Sequence, residues 1–184
     1  MIDMKPGGSL VKAYKRYRHS KGFGIHSPFA YRFVTDVLNP GQYGYYAYDN
    51  LPVSLNSNDE KETKRLIRLA VFLKTNRFLV YPEASKSIRA AAKALGLKSP
   101  SAISSSFSKF EKDDLLIVSG RVIPLEIIDN AISKHVSILA LNPDMDLRTS
   151  LEKPRQKGLL FSGKNRILFI PRQEMYYIAY DINL

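Results

Sequence analysis

The sequence predicts an α/β protein: a mostly parallel sheet with helices on both faces, antiparallel strands near the C-terminal end, and a helical N-terminal extension. Three observations carry that prediction. RFLVYP (77–82), LLIVS (115–119) and VSILAL (136–141) are short, branched apolar runs with the character of strands buried on both faces. Helix-like segments at 84–95 and 124–134 alternate with them. The last three runs, GLLFS (158–162), NRILFI (165–170) and MYYIAYDI (175–182), are joined by connections as short as SGK and PRQE, which suit hairpins better than crossovers.

The elements follow in chain order. Residues 9–20 (SLVKAYKRYRHS) read as a short basic helix with Leu10, Ala13, Tyr14 and Tyr17 at helical spacing, broken by Gly22 and Gly24. Ser27 before Pro28 predicts a helix start, because the serine oxygen accepts from free backbone N–H groups and a first-turn proline forfeits no bond. Phe29, Phe33, Val34 and Val37 fall on one face of that helix, and Asn39, Pro40 and Gly41 stop it. A tyrosine-dense loop follows to residue 58. Asp59 with Glu62 resembles a capping box and predicts a helix to about Lys74, with Leu66, Leu69, Ala70 and Leu73 on its apolar face. SAISSSF (101–107) reads as a short strand, and Asp113-Asp114 as a solvent-facing pair ahead of the next one. This divides the chain into a basic extension with a Tyr-rich loop, 1–58, and an α/β domain, 59–184.

Composition bounds the function classes. With 184 residues, 45% apolar and 24% charged, the chain can bury one sizeable core. It has no cysteine, which removes disulfides, thiolate metal sites and Cys nucleophiles and suits a cytoplasmic protein. No metal site is expected of His19, His26 and His135, which share no ligand spacing. The longest apolar runs fall short of the ~20 residues that span a bilayer, so no membrane partner is expected. The net charge of +11 is uneven, with seven basic residues against Asp3 alone in residues 1–35. Lys12, Lys15, Arg16, Arg18 and Lys21, interleaved with Tyr14 and Tyr17, are candidate nucleic-acid contacts, since such a mixture serves backbone neutralisation and base stacking. A solvated basic helix fits the same residues.

HSPFAYRFVTDV followed after a short gap by YYAYDN resembles a group of small methyltransferase-like proteins, familiar from the Bacteroidetes, of the class I S-adenosylmethionine-dependent fold. The match covers about residues 14–50. The resemblance implies a Rossmann-like sheet behind the extension, an acidic residue and a glycine-rich turn after the first strand, a carboxylate ending the second and Asp-Gly ending the strand that LLIVS resembles. In this chain the turn is Val80-Tyr81-Pro82-Glu83-Ala84-Ser85-Lys86-Ser87, without glycine, and the Asp-Gly position holds Ser119-Gly120. SAISSSFSKF offers no carboxylate, and only a few residues separate it from LLIVS, which implies a reduced fold.

The expectation is therefore a motif-degenerate methyltransferase-like protein without catalytic activity, retained to bind a small molecule or a protein partner. The alternatives are an active methyltransferase with an atypical S-adenosylmethionine site and a basic RNA-associated module. Tyr81, Glu83, Ser85, Lys86, Ser119 and Gly120 are the candidate cofactor positions, with no cofactor expected unless the ancestral site survives. Helix capping explains Ser85 equally well. His26, Ser27, Tyr31, Tyr45 and Tyr46 are candidates for an N-terminal cap or lid, His26 also as a general base. Packing and helix initiation are the structural readings of the same side chains. Asp144 and Asp146 fit a hard-cation site or, more simply, a helix start.

Overall fold

A computed structural model describes residues 11, 13, 14, 17, 18, 25, 27–41, 45–104, 109–120, 123–152, 157–172, 177–182 and 184. Strands β1 (Arg77–Tyr81), β2 (Ser101–Ala102), β3 (Asp114–Ser119), β4 (Ser137–Leu141), β5 (Gly158–Ser162), β6 (Arg166–Pro171) and β7 (Ile178–Asp181) form one sheet in the order β2-β1-β3-β4-β6-β5-β7. All of them run parallel except β6, which is antiparallel to both of its neighbours. The protein is thus α/β with a mostly parallel sheet. Leu115 to Val118 are all buried, as the unbroken apolar run requires of a central strand.

One closing pair differs from expectation. β5 and β6 form the expected hairpin, but β7 pairs in parallel with β5 rather than folding back on β6. The reason is topological: β4 and β5 occupy both edges of β6, so a further strand finds its hydrogen bonds on the outer edge of β5. Of the described part of SAISSSF, residues 101–104, Ser101 and Ala102 form β2. From there the chain passes β1 and reaches β3 in eleven residues, 103–113, whose described part holds no helix or strand.

Helix α1 (Pro28–Arg32) begins as the sequence predicts, with Ser27 Oγ accepting from the Ala30 N–H at 3.3 Å and proline at the first position. It continues as a π-helix, Phe33–Leu38, and the Asn39 N–H closes that segment on the Val34 carbonyl at 3.0 Å. Helix α2 (Ser57–Leu73) starts earlier than expected. Its cap is Asn56, whose side chain accepts from the N–H groups of Asn58 and Asp59 while its amide donates to the Asp59 carboxylate. Asp59 is the third residue inside this box, not its first. Helices α3 (Lys86–Ala94), α4 (Leu125–Ser133) and α5 (Met145–Glu152) follow, and the described residues 11, 13, 14, 17 and 18 are helical as well. The Asp144 side chain accepts from the Leu147 N–H at 2.8 Å, so it serves the start of α5.

Two cores flank the sheet. On one face α1, the π-helix, α2 and α3 pack against Phe78, Val80, Ile117, Phe161 and Leu168. On the other, α4 and α5 pack against Leu116, Val118, Ile138 and Phe169. Phe33 anchors the N-terminal segment to the first core: it is fully buried, 4.2 Å from the Phe161 ring and 5.7 Å from Phe72 between centroids. The Asp113-Asp114 doublet is not solvent-facing throughout. Asp114 is 4% exposed and accepts two bonds from Arg77, at 2.8 and 2.7 Å. That hydrogen bonding raises the Arg77 pKa against the opposing effect of burial.

Candidate functional site

The strand order reverses beside β1, since β2 lies on one side of it and β3 on the other. In open α/β sheets a crevice for ligands commonly forms at such a point, outside the carboxyl ends of the strands. Here those ends touch. Ser119 Oγ donates to the Tyr81 carbonyl at 3.5 Å, and a Cβ on Gly120 would stand 4.0 Å from Cδ of Pro82, which follows a cis Tyr81–Pro82 bond.

The polar groups of the turn are also engaged within the protein. Ser85 caps α3 by accepting from the Ile88 N–H at 3.3 Å, and Lys86 donates to the Ser54 carbonyl at 2.9 Å. Glu83 is exposed. The structure therefore brings Tyr81, Ser119 and Gly120 together, whereas Ser85 and Lys86 serve neighbouring backbone.

The N-terminal candidates divide similarly. Ser27 is the buried α1 cap, and Tyr31 and Tyr46 are exposed. The Tyr45 hydroxyl donates to the Asp36 carbonyl at 3.5 Å and its ring lies 5.5 Å from Tyr48. Burial first, then the neighbouring Tyr48 and Asp36, raises the Tyr45 pKa. Arg18 stands 5.9 Å from the Tyr14 ring centroid. His26, Lys12, Lys15, Arg16 and Lys21 lie outside the described residues.

A polar cavity of about 530 Å³ opens elsewhere on the same edge of the sheet. The first three turns of α2 contribute Asn58, Asp59, Glu62 and Arg65 to it. The end of β4 and the start of β6 contribute Asn142, Lys164, Asn165 and Arg166. None of the six candidate cofactor residues lines it, although Ser87, the second residue of α3, does. Asn142 adopts a left-handed conformation, φ +50°, which asparagine tolerates, and its N–H donates to the Asn165 carbonyl at 2.7 Å. This turn carries the chain from β4 into the cavity wall.

Charge dominates the lining. Arg166 bridges to Glu62 at 2.6 Å, both side chains being mostly buried. The second Glu62 oxygen, Oε1, is buried without a hydrogen-bond partner among the described residues. Asp59 accepts from Ser87 Oγ at 3.0 Å and from the Asn56 amide at 2.8 Å, so both its oxygens are committed. Burial and then the nearby Arg166 guanidinium lower the Arg65 pKa, a like-charge effect that Glu62 only partly offsets. Three cations, Arg65, Lys164 and Arg166, thus share one cavity with two engaged carboxylates.

The sequence offered no direct sign of this constellation. Glu62 reads as part of a cap, and Arg166 lies 104 residues from it. The Glu62 and Arg65 spacing of three on one helix is the single local clue. Among the described residues no group of three or more His, Asp or Glu gathers to hold a metal ion, and no helix is long and apolar enough to cross a membrane. Comparison of the chain with protein-family models, curated proteins and solved structures finds no match.

Proposed function

We propose that this chain is a degenerate, methyltransferase-like α/β protein that does not transfer methyl groups and is retained for binding. The observation that carries the reading is the state of the turn after β1. A cofactor approaching a helix N-terminus at such a turn needs a backbone free of side chains and N–H groups left open. This turn has no glycine, places Pro82 beside Gly120, and spends Ser85 on its own helix. The sheet order with its closing antiparallel β6, and the eleven-residue link from β2 to β3, support a reduced Rossmann-like sheet of the kind the N-terminal resemblance implies. A chain without cysteine suits a reducing compartment, and the proposal places it in the cytoplasm.

Calorimetric titration with S-adenosylmethionine tests the reading. No heat beyond dilution is expected. Saturable micromolar binding overturns it in favour of an active enzyme with an atypical cofactor site.

A further inference from the structure

We propose that the cavity between α2 and the β4–β6 edge binds a small phosphate monoester, such as a sugar phosphate. The inference does not rest on the methyltransferase reading, because S-adenosylmethionine carries no phosphate and, of the turn after β1, only Ser87 reaches the cavity lining.

The argument begins with how the charges are spent. Glu62, which lines the cavity, directs one oxygen at Arg166, and its other oxygen is buried without a hydrogen-bond partner among the described residues. Asp59 is held by Ser87 and Asn56. Neither the Arg65 guanidinium nor the Lys164 ammonium has a hydrogen-bond or ion-pair partner among the described residues, although both line the cavity. Two exposed cations therefore face one open cleft, with a third, Arg166, close enough to disfavour the charge on Arg65. An anion entering there relieves that repulsion and gains charge-assisted hydrogen bonds from three directions.

The chemistry of the lining narrows the class of anion. A phosphate monoester carries nearly two negative charges at neutral pH and several strong acceptor oxygens, matching the two unpaired cations and the guanidinium N–H groups of Arg166 that Glu62 does not take. Around them stand neutral hydrogen-bonding groups, the amides of Asn58, Asn142 and Asn165 and the Ser87 hydroxyl, which suit a polyhydroxylated organic part. At about 530 Å³ the cavity has the size of a small-molecule site and exceeds what a bare phosphate ion fills.

Titration of the full chain with ribose 5-phosphate and with inorganic phosphate at low salt decides the matter. Ribose 5-phosphate should bind, more tightly than inorganic phosphate. Arg65→Gln and Lys164→Gln should each weaken it by about tenfold, the loss of one charge-assisted contact. Circular dichroism should show both variants folded, since neither side chain holds the structure together. Lys61→Gln, an exposed lysine of α2 outside the cavity, should leave affinity unchanged. Absence of binding at millimolar ribose 5-phosphate, equal affinity for the two probes, or equal losses in all three variants would each overturn the proposal.

Discussion

Arg166 at the start of β6 donates to Glu62 on α2 at 2.6 Å, and this contact ties the first long helix to the strand that closes the sheet. Both side chains retain about a fifth of their exposure, 24% and 18%, so the pair is largely but not wholly desolvated. Removing one partner leaves the other charge stranded, which costs more than the pair contributes. Glu62→Met and Arg166→Met should therefore each destabilise the fold by about 2–3 kcal/mol, whereas the double substitution should recover most of the loss. Urea unfolding of the four proteins in the cycle checks this.

Arg68 performs a different task. It is 9% exposed, yet among the described residues it makes no ion pair with a carboxylate: Nε donates to the Val37 carbonyl at 2.7 Å and Nη1 to the Tyr48 hydroxyl at 3.0 Å. It thus pins the end of the π-helix and the short 3₁₀ turn at Tyr46–Asn50 to α2. Arg68→Met should cost about 1–3 kcal/mol by leaving a buried carbonyl unpartnered. Hydrogen exchange should show residues 33–39 opening before the strands do.

Phe33 is the apolar anchor of the same segment. Truncation to alanine at a fully buried site between Phe72 and Phe161 should destabilise by about 3–5 kcal/mol. Thermal unfolding measures the loss, and Phe33→Leu should restore more than half of it.

Alkaline pH should loosen the C-terminal part of this core. Burial raises the Tyr180 pKa above its ordinary value of 10.0, although a backbone hydrogen bond at Ser27 works in the opposite direction. The folded chain therefore holds that proton longer than the unfolded chain does. Its stabilising contribution is complete below pH 10 and is lost as the pH climbs through the raised value. Unfolding free energies of the wild-type protein and Tyr180→Phe should run parallel below that pH and diverge above it, the wild type falling faster.

Local chemistry made much of the fold legible. Ser27-Pro28 announces its helix because the capping partners lie within three residues, and the buried parallel strands announce themselves by unbroken apolar runs. Asn56 was hidden by Asp59, which looks like a cap and proves to be the partner of one. The burial of Asp114 depends on Arg77, 37 residues away, and a doublet of aspartates gives no hint of it. The pairing of β7 follows from which strand edge remains open after β6 is inserted, a property of the assembled sheet. The cavity was illegible for the same reason: its charges come from α2 and β6, and only the sheet order brings them together.

The placement of β6 has a further consequence for the protein in solution. With β6 enclosed on both sides, the outer strands of the sheet are β2 and β7, two and four residues long and the shortest of the seven. Exposed strand edges are templates on which copies of a chain can add to one another, and short ones offer few backbone groups for that addition. A sheet whose interior strands are this apolar is thereby left with little border on which aggregation can begin.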